Sequence, residues 1–242
     1  MSDPVLAAAE VEVGHHVTRE FLGVTLNLDT IWTTAIAGLI VIGLGLYMRR
    51  RVTSGVPSGI QLVFETVTQQ MQKQVESTMG LRTAPFVVPL SVTLFMFILF
   101  ANWLSVIPSG HGPEYLAPPT ADVNLVYAMA LLVVGWMHVT GVRKRGAKNY
   151  FGHFAKPYWW LVPINIIEEI ARPFTLSLRL FGNIFSGVIM VTLITLFPAY
   201  ILWGPNVVWK LFDLFIGLIQ AFIFALLTIL YFGSAASEEG GH

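Results

Sequence analysis

The residue with the most demanding chemistry in this chain is Arg179, which lies inside a strongly apolar stretch. A guanidinium does not lose its proton in proteins, so its charge must be accommodated wherever the side chain lies. Insertion scales put an arginine at the centre of a membrane helix at a cost of about 2.5 to 3.5 kcal/mol. Because such a residue normally faces a protein partner or a water-filled cavity, we predict a functional role for Arg179.

Other polar residues share a predicted helix with Arg179. Spacings of seven, four and three residues place Arg172, Arg179, Asn183 and Ser186 along one stripe of that helix. Glycines beside the stripe would let another helix approach closely. We therefore expect this face to contact protein rather than lipid.

A second polar stripe lies on the last predicted helix. Asp213, Gly217 and Gln220 are separated by four and three residues, so they share one helical face. If the two helices pack antiparallel, Gln220 comes near Arg179 while Asp213 lies towards the outer end. This arrangement would give a fixed cation at mid-depth with a protonatable group on one side of it.

Simpler explanations compete for most of these residues. Membrane helices use side chains such as those of Asn183 and Gln220 to hydrogen-bond their neighbours, at about 0.6 kcal/mol each. An ion pair with Lys210 would account for Asp213. Snorkelling to the interface would account for three charged residues near the predicted cytoplasmic end, which are Glu168, Glu169 and Arg172. Arg179 lies too far from either helix end for that explanation.

Weaker candidates lie in the preceding helices. Asp122 opens a predicted helix and is either a start signal or part of an aqueous entrance. His138 could relay protons or be an interfacial histidine, and Asn102 could hydrate a cavity or serve packing. The chain carries no Gly-rich phosphate loop, metal-ligand cluster or nucleophile-plus-base set. We therefore predict no cofactor, no metal and no ATP site.

Composition sets the class of protein. Of the 242 residues, 55% are hydrophobic and 12% are charged, and the mean hydropathy is +0.69. A soluble domain carries about 25% charged residues. The formal net charge is zero and the basic residues gather in short loops, which argues against nucleic-acid binding. We therefore predict an integral membrane protein, and the absence of cysteine excludes disulfides.

The hydropathy pattern predicts an all-α membrane domain with five membrane-crossing helices and one amphipathic surface helix. The basic runs 49–51 and 143–148 place the N-terminus outside and the C-terminus in the cytoplasm. The fourth crossing helix has about 36 residues, or roughly 54 Å, so it must be steeply tilted or bent at Pro173. It pairs with the fifth as a hairpin. The predicted ranges are 1–27 for an outer segment, 28–48, 86–107, 123–142, 162–197 and 207–234 for the crossing helices, 57–79 for the surface helix and 235–242 for the tail.

Two runs carry a specific resemblance. Residues 177–187 (SLRLFGNIFSG) and 218–231 (LIQAFIFALLTILY) closely resemble subunit a of the F-type rotary ATP synthases. Residues 102–108 and 118–124 also look like that family, and the resemblance spans residues 20 to 237. It implies that the last two helices curve around a ring of c subunits, each with one membrane carboxylate. Two offset aqueous half-channels would then reach the ring from opposite sides.

The resemblance also implies roles for single residues. Arg179 matches the essential arginine that separates the half-channels, since it admits ionised ring carboxylates and blocks a direct proton wire. Gln220 matches the position that faces this arginine, and Asn183 one that lines the outer half-channel. Asp213 falls where relatives often carry the outer proton carrier.

Two positions depart from the family pattern. Val188 stands where some relatives carry a carboxylate, which leaves Asp213 as the outer acid. Asn165 stands where an inner acid is often found, and Glu168 or Glu169, one turn on, is its replacement. The predicted proton path therefore comprises Asp213, Asn183, Gln220, Ser186, Asp122, Glu168 and Glu169.

The resemblance implies a proton-conducting stator subunit in a bacterial-type energy-coupling membrane, without ATP hydrolysis of its own. Its partners would be the c ring, peripheral-stalk b-type subunits, the remaining synthase subunits and lipid. The rival hypothesis is a secondary transporter or channel in which Arg179 binds an anion, although no internal repeat supports it. A structural scaffold is a third alternative. The choice between H⁺ and Na⁺ stays open, because the surroundings of the ring carboxylate decide it.

Overall fold

The computed structural model describes residues 18–21, 24–53, 55–104, 119–153, 160, 162–198 and 200–236. Most of these residues are helical. The helices are α1 (Leu28–Arg51), α2 (Gly59–Met79), α3 (Val87–Trp103), α4 (Val123–Arg145), α5 (Ala147–His153), α6 (Val162–Ile194) and α7 (Trp203–Ala236). A 3₁₀ turn, Pro119–Ala121, precedes α4.

Several helices are suited to a bilayer. Within the described ranges, α1, α4 and α7 are long and apolar enough to cross a membrane, and α3 is an apolar helix of 17 residues. α6 and α7 have 33 and 34 residues, so each is about 50 Å long. Pro173 lies within α6, which continues past it to Ile194. The chain is therefore a helical, multi-pass membrane protein.

One described element departs from the all-α prediction. Strands β1 (Thr18–Phe21) and β2 (Val24–Asn27) form a small antiparallel hairpin directly before α1. β-Branched residues such as Val24 and Thr25 favour extended backbone. The two strands together are too short to show a clear alternating pattern, which is why this hairpin was absent from the sequence-based prediction.

Local signals set where the helices begin and end. The Ser58 hydroxyl accepts a hydrogen bond from the Gln61 backbone N–H at 3.3 Å and caps the start of α2. α2 and α4 end at Gly80 and Gly146, whose φ angles are +74° and +76°. Only glycine adopts such angles without strain, so these residues stop the helices. α4 runs past the predicted residue 142 to Arg145, because basic residues are favourable in the last turn of a helix.

The core lies between α2, α3, α4 and α7. Its fully buried large side chains come from all four helices and include Met71, Ile98, Met137, Phe224 and Phe232. α1 contacts α3 through a small separate cluster, and most of its membrane-length window is exposed. α6 packs against α4 and α7. Helices α2, α3 and α4 therefore hold α7 in place, while α1 and α6 lie at the sides of this four-helix core.

Two hydrogen bonds define the relative directions of the helices. Asn27 and Thr30, at the start of α1, both donate to Asp122, which caps the start of α4. The starts of α1 and α4 therefore lie together, and the basic residues 49–51 and 143–145 lie at the far ends of these two helices. We call these the Asp122 end and the basic end.

Candidate functional site

The centre of the candidate site is the middle of α7, where α3 approaches it closely. The Asn102 side chain donates from Nδ2 to the Gly217 carbonyl at 3.2 Å, and Trp103 Nε1 donates to the Leu214 carbonyl at 3.3 Å. A Cβ on Gly217 would lie only 3.0 Å from Cβ of Asn102. Glycine therefore allows the contact that brings the polar end of α3 onto α7.

The same Asn102 amide reaches a third element. Its Oδ1 accepts a hydrogen bond from the Thr120 hydroxyl at 2.8 Å, and Thr120 is fully buried in the 3₁₀ turn. Asn102 thus joins α3, the turn before α4 and α7. Of the two interpretations left open from sequence, these contacts support packing.

Gln220 lies almost one turn beyond Gly217 and is only 6% exposed. Its Nε2 is buried and has no hydrogen-bond partner in the described part of the chain. A buried donor left without a partner costs about 1 to 3 kcal/mol. Since native proteins rarely keep such a group without a reason, Gln220 is the strongest candidate on α7.

Asp213 and Ser186 are further described members of the two stripes. Asp213 is half-buried on α7, towards the start of that helix, and Ser186 is exposed on α6. Asp213 precedes Gln220 by seven residues, or about 10 Å along the helix axis. The described contacts of α7 therefore place Asp213 towards the Asp122 end and Gln220 nearer the basic end.

Four predicted site residues have described backbones only. Arg179, Asn183, Glu168 and Glu169 all belong to α6, but their side chains lie outside the described part of the structure. Arg172, on the same stripe, is described. Its guanidinium lies 5.1 Å from the ring centroid of Tyr231, and Nη1 lies 3.7 Å from the sulfur of Met137. The first third of α6 therefore contacts the last third of α7.

A separate polar cluster surrounds Asp122, which is 6% exposed. One carboxylate oxygen accepts from the Asn124 backbone N–H at 2.8 Å, which confirms the predicted helix start signal. The other accepts from Asn27 Nδ2 at 2.8 Å and from the Thr30 hydroxyl at 2.9 Å. Sequence reasoning missed Asn27 and Thr30, because no pattern links them to a residue more than 90 positions away.

His138 belongs to a third place in the molecule. Its Nδ1 lies 2.8 Å from the Tyr150 hydroxyl, and the two rings meet edge to face. Tyr150 comes from α5, which folds back against the end of α4. No group of His, Asp or Glu among the described residues has the arrangement of a metal site. His138 therefore lies near the basic end, apart from the stripe on α7.

Comparison with known proteins is consistent across the chain. A family model described as ATP synthase A chain matches residues 31–233. A protein named ATP synthase subunit a from Acidothermus cellulolyticus is 55% identical over all of this chain and 88% of the relative. Proteins of the same name from Mycobacterium bovis and Bacillus pumilus are 54% and 37% identical, over 100% and 92% of this chain and 100% and 97% of the relatives.

Proposed function

The chain belongs to the ATP synthase A chain family, and from that membership we propose that it is the proton-translocating stator subunit of the membrane sector. The observation that carries this proposal is the extent of the match. Residues 31–233 include nearly all of α1, all of α6 and most of α7, and therefore both polar stripes. Proton flow past this subunit would drive rotation that is coupled to ATP synthesis, with no ATP site in this chain.

We propose five crossings formed by α1, α3, α4, α6 and α7, with α2 on the cytoplasmic surface and α6 and α7 as a tilted hairpin. These helices together form the proposed single membrane domain. The common position of the two basic runs supports this orientation, because basic residues concentrate on the cytoplasmic side. The N-terminus is then outside and the tail is cytoplasmic.

The Arg172–Tyr231 contact supports a position for Gln220 near Arg179. Moving eleven residues along α6 from Arg172 reaches Asn183, and moving eleven back along α7 from Tyr231 reaches Gln220. In an antiparallel pair these positions lie at the same level. Arg179 is four residues, or about 6 Å, from that level, within reach of a long side chain. The unpartnered Nε2 of Gln220 fits a site completed by a group outside the described side chains.

In this proposal Arg179 is a fixed charge, because it neither releases nor relays a proton. Asp213 carries protons on the outer side, with Asn183, Ser186 and Gln220 along the path and Glu168 or Glu169 on the inner side. Asp122 holds the outer end of the path together through its hydrogen bonds. Each proton that crosses 100 mV supplies about 2.3 kcal/mol, so a leak past Arg179 would waste the torque.

The proposed partners are the c ring, the peripheral-stalk b-type subunits and the other synthase subunits, within the lipid bilayer. Reconstitution separates this proposal from a transporter that binds an anion at Arg179. Proton flux is measured with a pH-sensitive dye in liposomes that hold either the complete synthase or this chain alone. We expect flux from the complete complex and no specific flux from the chain alone. Anion uptake by the isolated chain would contradict the stator function.

A further inference from the structure

A cavity of about 600 Å³ opens at the basic end, between the last turns of α2, α4 and α7. It is separate from the polar stripe of α7, because Ala236 on its wall lies 16 residues, or about 24 Å, beyond Gln220. Its volume is within the range of small-molecule sites, about 300 to 1,000 Å³. None of the residues in the predicted proton path lines it.

The backbone shapes this cavity. α2 ends at Gly80 on the cavity wall, and α4 ends at Gly146 directly after two lining residues. Gly233 lets α7 approach the Thr78 side chain of α2, because a Cβ at that position would overlap the threonine methyl group. The cavity wall therefore includes a close approach of α7 to α2 that a side chain larger than glycine at position 233 would disturb.

The charge of the lining favours an anion. Lys144 and Arg145 line the cavity together with one acidic residue, Glu76. The helix ends add partial negative charge from their last carbonyls, and Arg145 offsets part of it by donating from Nη2 to the Ser234 carbonyl at 3.0 Å. The Nε of Arg145 is buried without a hydrogen-bond partner in the described part of the chain. The lining side chains thus carry two positive charges against one negative charge, a net charge of +1.

Thr83 adds a neutral donor to the lining. It follows the end of α2, where its backbone N–H donates to the Gly80 carbonyl at 3.2 Å, and its side chain lines the cavity. Lysine binds phosphate as a compact point charge, and a hydroxyl donates a directed hydrogen bond to a phosphate oxygen. Lys144 and Thr83 together therefore suit a phosphate group.

We propose that this cavity binds the phosphate of an anionic membrane lipid. In a multi-pass membrane protein, helix ends that carry clustered basic residues lie at the level of the lipid headgroups. Basic pockets between membrane helices on that side bind the headgroups of anionic lipids such as cardiolipin. A lipid held there contacts α2, α4 and α7 at once. This inference goes beyond the proposed function and does not depend on the proton path.

The test measures lipid binding by the purified, delipidated complete synthase. Short-chain phosphatidylglycerol and cardiolipin are titrated against phosphatidylcholine, and bound lipid is counted by native mass spectrometry. Lys144→Gln should weaken anionic-lipid binding by about fivefold, the effect of one basic residue near a lipid surface. Thr83→Val tests the site without changing charge and should weaken binding by about two- to threefold. Arg145 is not substituted, because it also bonds α7.

Arg143→Gln is the matched control. It removes the same charge from the same helix turn, but Arg143 does not line the cavity, so binding should stay within about twofold of the wild type. Equal losses in Lys144→Gln and Arg143→Gln, or no preference for anionic over zwitterionic lipid, would overturn the proposal. In the last measurement, inorganic phosphate is added as a competitor of the bound lipid. Displacement of the lipid by equimolar phosphate would assign the site to free phosphate and overturn its assignment to lipid.

Discussion

Asp122 and Gln220 are equally buried, at 6% exposure each, yet their surroundings differ. The Asp122 carboxylate accepts hydrogen bonds from two side chains and one backbone N–H of the described residues. The Nε2 of Gln220 has no hydrogen-bond partner within the described ranges. The two side chains are therefore equally buried. They differ in whether their polar atoms have hydrogen-bond partners among the described residues.

We propose that the difference separates a structural polar site at Asp122 from a functional one at Gln220. A satisfied network in a low-dielectric environment fixes the packing of the elements that meet there, which at Asp122 are the starts of α1 and α4. The Nε2 donor of Gln220 makes no stabilising hydrogen bond to the described residues, so its retention needs another explanation. Selective loss of stability at the first site and of transport at the second would support this interpretation.

The largest expected effect on stability is that of Asp122→Ala. It removes the cap of α4 and leaves the donors of Asn27 and Thr30 unpaired, so we expect a loss of about 2 to 4 kcal/mol. Thermal denaturation of the purified synthase measures it. Asp122→Asn keeps one acceptor oxygen, which can still cap α4, but its NH₂ group cannot accept from Asn27 and Thr30, so we expect a smaller loss than for Asp122→Ala. If Asp122→Asn were stable but lost pumping, Asp122 would itself carry protons.

Asp213→Asn extends the comparison along α7 towards the Asp122 end. It keeps the size of the half-buried side chain and removes the titratable proton, so we expect ATP-driven pumping to fall by about tenfold or more with little change in stability. Asn183→Leu and Glu168→Gln should slow pumping less. Pumping is followed by dye quenching in vesicles with equal synthase content. Equal effects of all three substitutions would refute the assignment of Asp213 as the outer proton carrier.

Gln220→Leu should give the smallest loss of pumping among these variants. Its effect should be the opposite of that of Asp122→Ala, because pumping should fall while stability is kept. Since the amide donor has no described partner, replacing it with an apolar side chain should change stability by less than about 1 kcal/mol. Pumping should fall by about fivefold, because the loss of one hydrogen bond costs about 1 kcal/mol, which corresponds to that factor in rate. Melting temperature and pumping rate are measured on one preparation. A destabilised but fully active variant would make Gln220 a packing residue.

Local features of the fold could be predicted from sequence. Hydropathy and the basic runs identified the membrane class, and Asp122 was identified as a helix start. The amphipathic pattern of α2 follows from its own residues, such as Met71 and Val75, which are buried one turn apart. These features depend on neighbours along one helix, which is why spacing reveals them.

Contacts between distant segments could not be predicted. Asn102 meets Gly217 across 115 positions, and Thr30 meets Asp122 across 92. Helical periodicity contains no information about which face of another helix a residue contacts. Gly217 carried a partial signal, because a glycine within a polar stripe permits close approach. That Asn102 occupies this space is known only from the packing of α3 against α7.

The most direct test of the central claim is ATP-driven proton pumping by the synthase with Arg179→Ala. Arg172→Ala is the matched control, since it removes the same charge from the same stripe seven residues earlier. Dye quenching in inverted vesicles is measured together with ATP hydrolysis and subunit content. We expect Arg179→Ala to abolish pumping in an assembled complex, while Arg172→Ala still pumps. Pumping by Arg179→Ala at the wild-type rate would contradict the account.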